Sequence, residues 1–588
     1  MSADLVLGPM LRHVGEHHAT IWVETSDDCV VEVCLAQLDR AYSTRTFRVG
    51  FHCYALVIVD DLPSRATVTY EVRLDGEQAW PRNDGFPPPV IRTLGTDGQT
   101  RILAGSCRSA APHEPPWTAE PSADRRGIGV DALRAHGLRM LTQPPSQWPD
   151  LLILTGDQVY ADDAPPVTRQ RLASKRRRAR SRARSGDGAE PPEDIVRGFE
   201  EYTWLYHEAW SADVERWVFS TVPTAMIFDD HDMIDDWNIS QSWVSDARDL
   251  PWWTDHVVSG LVSYWVYQHL GNLSPEEIAK EGLLERALLT PDAEAELRQW
   301  AMESEHFTPV PGGYRFSYAR DLGPVRVVVA DCRNGRVLTP KHRAMLDDAE
   351  FDWIARQMCQ PCRHLILVTS LPLFVVGGLH GLQAWNEAIA DGRWGRAAAW
   401  ASEHLRRELD LEDWAAFHRS FVRMVEILRD VASERHDAPP AGPPASIPAP
   451  PASIPAPPAS IPAPPASITV LSGDIHFSYC AKVDLDDTSL SRVHQVVSSP
   501  IRNSLSRRDA RVLRFAVSNA GRRIGRFLQR LGGVPDAACR WQIIDGPFFH
   551  NGMAQLDFSG EEAVLTMEHA APDGDGTPVL SIVVSKSL

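Results

Sequence analysis

Leu151-Leu152-Ile153-Leu154-Thr155-Gly156-Asp157-Gln158-Val159-Tyr160 is the stretch whose reading decides the fold. An unbroken apolar run bounded by Pro149-Asp150 on one side and Thr155-Gly156 on the other reads as a short strand buried on both faces. Gly156 permits a tight turn, and Asp157 then stands just beyond the strand's carboxyl end. Open α/β sheets place their ligands there. A carboxylate in that position can offer one oxygen to each of two cations, and Tyr160 can bring a phenol oxygen to the same place. Taken alone, Gly-Asp is an ordinary turn pair.

The pair is not alone. Arg101-Ile102-Leu103-Ala104 leads to Gly105-Ser106-Cys107. Thr224-Ala225-Met226-Ile227-Phe228 leads to Asp229-Asp230-His231-Asp232, and Ile468-Thr469-Val470-Leu471 leads to Ser472-Gly473-Asp474-Ile475-His476-Phe477. Each run ends by delivering Cys, Asp, Tyr or His at a strand's carboxyl end. Singly, Cys107 reads as a buried thiol, and His231 or His476 as a structural histidine. Together the four describe one converging metal site.

Whole-chain properties narrow the function. At 588 residues the chain exceeds one small core and predicts two domains. With 59 Lys and Arg against 78 Asp and Glu, the net charge of −19 excludes a dedicated nucleic-acid binder. Met1-Ser2-Ala3-Asp4 opens without a basic, then apolar, leader, and no apolar run reaches membrane-span length. Nine scattered cysteines suit a reducing compartment. These features predict a cytoplasmic protein. Cys359-Gln360-Pro361-Cys362 lacks the second pair that a structural zinc site needs and reads as incidental thiols.

Residues 1–96 predict a small all-β sandwich. Strands such as Thr20–Glu24 and Val68–Leu74 alternate in polarity, and Asp75-Gly76 signals a hairpin. From 97 to 588, strands alternate with helical stretches, the mark of an α/β domain. Helices are expected over Glu193–Phe219, His256–Leu270, Ala344–Met358 and Leu411–Val431. Buried strands are expected at Val325–Ala330 and His364–Thr369, with a return to β pattern over 552–585. Two insertions interrupt the domain. One, 164–192, carries nine basic residues between Arg169 and Arg184 and reads either as a solvated loop or as a basic lid near the site mouth that attracts anionic substrate. The other, 436–467, repeats Pro-Pro-Ala-Ser-Ile-Pro-Ala and reads as an extended linker. Arg507–Leu531 is a basic amphipathic helix, expected to pack its apolar side on the domain and keep its basic side wet; membrane contact is the alternative.

Hydrolysis of a phosphate ester needs a bound anion, an activated water and relief of charge on the leaving oxygen, and a two-metal site supplies all three. Asp157 suits the bridge. Cys107 and Tyr160, once deprotonated, suit ferric iron better than magnesium. Asp230, Asp474 and His476 add ligands. The motifs Gly105-Ser106-Cys107, Gly156–Tyr160, Asp229–Asp232 and Ser472–His476, in that order, resemble the alkaline phosphatase D family of metallophosphoesterases. The resemblance covers roughly residues 97–500, and the β-rich start is similar to that family's small sandwich domain. It implies a four-layer α/β/β/α core that holds iron(III) and calcium and acts on phosphate mono- and diesters.

Carried over residue by residue, the resemblance makes Cys107 and Tyr160 iron ligands, Asp157 the bridge and Asp474 a metal ligand. Asp230 stands where the wider superfamily has a metal-binding Asn. His231 stands where it puts a His near the phosphate and leaving group. His476 is a ligand or a phosphate contact, and Arg333 either grips phosphate or pairs with Asp331 and nearby acids. Asp235-Asp236 departs from the Glu-Asn or Asn-Asn of relatives and leaves the second metal's ligands open. The competing function is a binding or scaffold protein on the same fold without catalysis.

Overall fold

The computed structural model describes residues 3–82, 85–95, 98–180, 190–306, 314–433, 463–505, 507–537 and 539–588. It is a mixed α/β structure. Two sheets carry the site. In the first, the strand order is Thr224–Met226, Leu151–Leu154, Thr100–Gly105, Gly552–Ser559, Glu562–Pro572 and Pro578–Ser587. Its first three strands are parallel, and the last three, from the far end of the sequence, add antiparallel. Every side chain of Leu151–Leu154 is buried, as an unbroken apolar run demands.

The second sheet runs Tyr318–Leu322, Val325–Ala330, His364–Thr369, Ser467–Ser472, Arg492–Val497, Ser478–Asp484 and Arg540–Phe548. Four consecutive members, from Val325–Ala330 to Arg492–Val497, are parallel. The carboxyl ends of the two sheets' parallel strands meet. Ser498 Oγ donates to the Ala104 carbonyl at 2.9 Å, and Ser106 Oγ donates to the Ser498 carbonyl at 3.3 Å. Gly473 makes the approach possible, since a Cβ there would lie 2.0 Å from Ser106 Oγ.

Residues 5–92 form two four-stranded antiparallel sheets and a two-stranded ribbon. Ile21, Val23, Ala55 and Val57 from one sheet share a core with Val31, Val33, Val72 and Leu74 from the other. The expected turn at Asp75-Gly76 joins Glu71–Leu74 to Glu77–Trp80. Leu7, Met10, Trp22 and Tyr54 belong instead to the main core of the molecule. Buried Arg12 donates to the Tyr267 carbonyl and to Asn272 Oδ1, both at 3.2 Å. This β unit is therefore packed into the α/β part rather than tethered to it.

Several predicted helices divide. The helix expected over Glu193–Phe219 is two, Phe199–Trp210 and Asp213–Thr221, broken at Ser211-Ala212. The Arg-rich insertion, expected as a mobile or helical surface loop, is a helix over Pro166–Arg180. Three of its basic side chains touch the body of the protein, though only Arg176 among them is buried. Arg171 stacks over Trp204 with its guanidinium 4.2 Å from the ring centroid, Lys175 pairs with Glu201 at 2.8 Å, and Arg176 is buried. Arg177 and Arg178 remain exposed. The Pro-Ala-Ser repeats lie almost wholly outside the described residues. Arg507–Leu531 forms two helices, Arg507–Val517 and Asn519–Leu531. All nine cysteines are free thiols. Among the described residues no helix is long and apolar enough to cross a membrane.

Candidate metal centre

The site lies where the two sheets meet. Cys107, Asp157, Asp474 and His476 all adopt left-handed backbone, with φ of 53°, 46°, 65° and 54°. Such values are uncommon outside glycine and cluster at functional positions, where the surrounding structure holds the strain. Each of these residues follows a buried parallel strand closely, so the sharp turn aims its side chain back across the strand ends. Gly156 has the same task in more extreme form. Its φ is +127°, and a Cβ there would sit 1.9 Å from Asp229 Oδ2.

Three donor groups share one member. Cys107, Asp157 and His476 can place ligand atoms within 4.8 Å of one another; so can Asp157, Asp230 and His231, and so can Asp157, Asp229, Asp230 and Asp474. Asp157 is common to all three. Its Oδ1 is buried without a hydrogen-bond partner, and its Oδ2 receives only the Tyr160 hydroxyl at 3.5 Å. A buried carboxylate oxygen left without a protein partner is costly unless something else binds it. Asn503 Nδ2 donates to the Tyr160 oxygen at 2.8 Å, and Ser499 Oγ donates to Cys107 Sγ at 3.1 Å. Both donors favour the anionic form of the group they touch.

The electrostatics are those of crowded negative charge. Burial, then Asp229 and Cys107, hold the Asp157 carboxyl well above the usual carboxylate range. Burial pushes Asp474 well up despite Arg333, with Asp229 and Asp230 adding to the rise. Asp229 is raised to about 7 by burial, against the pull of Arg333. The Cys107 thiol is raised to about 12 by burial and Asp474, and the Tyr160 phenol rises through burial and Asp157. For Asp230 burial also works upward, but Arg333 and His231 outweigh it and hold its carboxyl low. Bound cations reverse such shifts and deprotonate thiols outright. The donor set therefore fits a highly charged metal.

Two histidines sit at the cluster in opposite states. Burial alone would lower His231, but Asp162, Asp157 and Asp230 outweigh it and raise the imidazolium well above its ordinary range. His231 Nδ1 contacts Asp162 Oδ1 at 2.8 Å, and its ring packs 4.5 Å from that of Tyr160. His476 is lowered to about 4 by burial and by His231, so it is a neutral donor.

Arg333 is fully buried. Its Nε donates to Asp229 Oδ1 at 2.8 Å, its Nη2 to Asp474 Oδ1 at 2.9 Å and pairs with Asp230 at 3.1 Å, and its Nη1 bonds Glu412. All three nitrogens are committed to carboxylates, which leaves Arg333 as the internal countercharge of the cluster. Asp331 accepts the backbone N–H groups of Arg333 and Asn334 instead of pairing with the guanidinium. The departures at Asp235-Asp236 lie beside the cluster. The Asp235 amide donates to Asp162 Oδ2 at 2.6 Å, and the Asp236 amide donates to Asp230 Oδ2 at 3.3 Å.

The sequence reading missed Asp162, Asn503, Ser499 and Glu412, and quoted Asp229 without giving it a role. Ser499 had a signal, since Arg492–Val497 is another buried run that ends in small residues, Ser498-Ser499. Nothing local marked Asn503 or Glu412.

The profile of a domain of unknown function, DUF7800, matches residues 2–91. No curated protein matches the chain. A solved structure of PhoD is similar, with a TM-score of 0.56 and 10% identity, over 99% of this chain and 90% of its own. At that identity the likeness shows the fold.

Proposed function

We propose that this protein is a metal-dependent phosphoric ester hydrolase with a dinuclear centre. The observation that carries the reading is Asp157, shared by three donor groups of the cluster and holding a buried oxygen without a protein partner among the described residues. The fold likeness to PhoD supports it, as do the four motifs. The finer architecture belongs to the same proposal: residues 1–96 as a β sandwich, and 97–588 as a catalytic domain whose two sheets lie face to face between helical layers.

Cys107, Asp157, Tyr160 and His476 would hold one cation, iron(III) by resemblance. Asp157, Asp229, Asp230 and Asp474 would hold the other, calcium by resemblance. When bound, such a pair supplies Lewis-acid charge for a phosphoryl oxygen and lowers the pKa of water. The protein's own groups do the rest. Arg333 keeps the acids together before metal arrives. Asn503 and Ser499 steady the phenol and thiol oxygen and sulfur as anions. His231, oriented by Asp162, carries a proton and stands ready to give it to a departing oxygen. His476, neutral, serves as a ligand rather than as a phosphate contact.

The test is metal analysis of the purified protein with a panel of phosphate mono- and diesters, repeated for Asp157→Asn. We expect two metals per chain, hydrolysis of at least one ester class, and turnover at least 100-fold lower in the variant, on the scale of a lost key electrostatic group. Full metal with no hydrolysis of any ester would favour the binding or scaffold reading.

A further inference from the structure

The helices Arg507–Val517 and Asn519–Leu531 are packed the opposite way from the usual amphipathic pair. In Asn519–Leu531 the buried positions are Gly521, Gly525 and Gln529, one stripe at four-residue spacing. Gly525 lies against Gly377–Ala390, where backbone meets backbone, and Gly521 lies against the Phe515 carbonyl and Ala516 at the end of the first helix. A Cβ on Gly525 would come within 2.8 Å of the Gly377 and Gly378 carbonyl oxygens, and one on Gly381 within 2.2 Å of Gly525. The small stripe holds the helix to the protein, so the apolar stripe is not needed for packing. Ile524, Phe527 and Leu531 are 49%, 61% and 45% exposed, and Val512 and Phe515 of the preceding helix are 54% and 53% exposed. Arg522, Arg523, Arg526 and Arg530, all exposed, form a third stripe beside the apolar one. Arg511 and Arg514 repeat the pattern on the first helix.

An apolar stripe of large side chains flanked by arginines is the pattern of a helix that lies in a lipid headgroup layer. We propose that this helical pair docks the protein on an anionic lipid bilayer, with Phe515, Ile524, Phe527 and Leu531 entering the headgroup–acyl boundary and the arginines pairing with lipid phosphates. Charge complementarity selects this occupant. The chain as a whole is at −19, so the arginine stripe is a local reversal of sign. A second copy docked through the same face would set like arginines against each other, whereas an anionic bilayer neutralises them. Trp394, 51% exposed and 6.0 Å ring to ring from Trp385, stands beside the end of the second helix, where Gly532 packs on Trp385. Tryptophan is enriched at such interfaces. The proposal is independent of the hydrolase reading, although Asn503 at the metal centre lies only four positions before the first helix.

The experiment is flotation of the full-length protein with phosphatidylcholine vesicles and with vesicles containing 30 mol% phosphatidylglycerol. We expect binding to the anionic vesicles that weakens as salt is raised from 50 to 500 mM, and at least tenfold weaker partitioning for Ile524→Ser/Phe527→Ser and, separately, for Arg522→Gln/Arg526→Gln. Both pairs are surface changes, and circular dichroism with thermal denaturation checks that the protein remains intact. Absence of wild-type binding, binding unchanged in both variants, or equal binding to neutral vesicles would overturn the proposal. So would a concentration-dependent dimer that Ile524→Ser/Phe527→Ser abolishes, which would make the stripe a self-association face.

Discussion

Asp229→Asn separates the stability of this fold from its capacity for metal. Asp229 is buried, and its carboxyl is raised from 3.8 to about 7 in the metal-free protein. At roughly 1.4 kcal/mol per unit, that rise costs the fold about 4 kcal/mol as pH climbs from 3.8 to 7, and the loss is constant above. Asparagine stands in for the neutral acid. It retains the oxygen that accepts from Arg333 Nε and from the Asp230 amide. Its new amide faces a position where Oδ2 has no hydrogen-bond partner, which takes back about 1–2 kcal/mol. The net expectation is a metal-free variant about 2–3 kcal/mol more stable than wild type at pH 8. The sign follows from linkage. Below pH 3.8 the acid is protonated folded and unfolded, so the advantage is absent. It grows as pH rises toward 7, where only the unfolded state has released the proton, and is constant above. Urea denaturation of the chelator-treated proteins at pH 4, 6 and 8 reads this directly. With metal restored the order should invert, because the variant lacks a ligand charge. A variant less stable than wild type at pH 8, by an amount independent of pH, would refute the reasoning that burial and crowded acids dominate this centre.

Three further substitutions test its parts. Tyr160→Phe removes the phenol that Asn503 supports, and should abolish the visible charge-transfer colour expected of an iron(III)–phenolate while leaving circular dichroism unchanged; a colourless active wild type would argue against iron. Gly156→Ala places a Cβ on Asp229 at a φ of +127°, and should lower stability by about 1–3 kcal/mol and weaken metal binding together, measured by denaturation and by competitive chelation. Asp162→Asn removes the first of the carboxylates that raise His231, so the alkaline limb of the pH–rate profile should move to lower pH; an unmoved limb would remove His231 from proton delivery.

What the sequence disclosed was what short range can encode. Leu151–Leu154 and the Val327–Ala330 part of a strand in the second sheet are legible because a strand buried on both faces needs an unbroken apolar run, and the residue after its end is then placed by topology. That logic brings Cys107, Asp157, Asp230, Asp474 and His476 together. It fails where a partner comes from a distant segment. Glu412 reaches Arg333 from a turn 79 positions away, and Asn503 reaches Tyr160 across 343. The basic insertion shows the same limit. Its composition reads as solvated, and Arg171 and Lys175 are exposed, yet each also holds a partner on the neighbouring helix, Trp204 and Glu201. The apolar stripe of Asn519–Leu531 was legible as a stripe. Its outward orientation was not, because that depends on glycines of another helix making the closer contact.

The strand Thr100–Gly105, which ends just before Cys107, is completed on one side by Gly552–Ser559, so that Arg101 bonds Asp557 across 456 positions. Synthesis fixes the order in which these edges appear. At 5–20 residues per second, roughly 20–90 s separate the emergence of the first strand from that of its partner. Throughout that interval a mostly apolar strand presents an open edge, the ordinary template for mispairing between nascent chains. That edge stays open until Gly552–Ser559 has been made, and the strand that leads to Cys107 reaches its final surroundings only then. A chain interrupted before Gly552 would carry almost every candidate ligand with this strand edge still open.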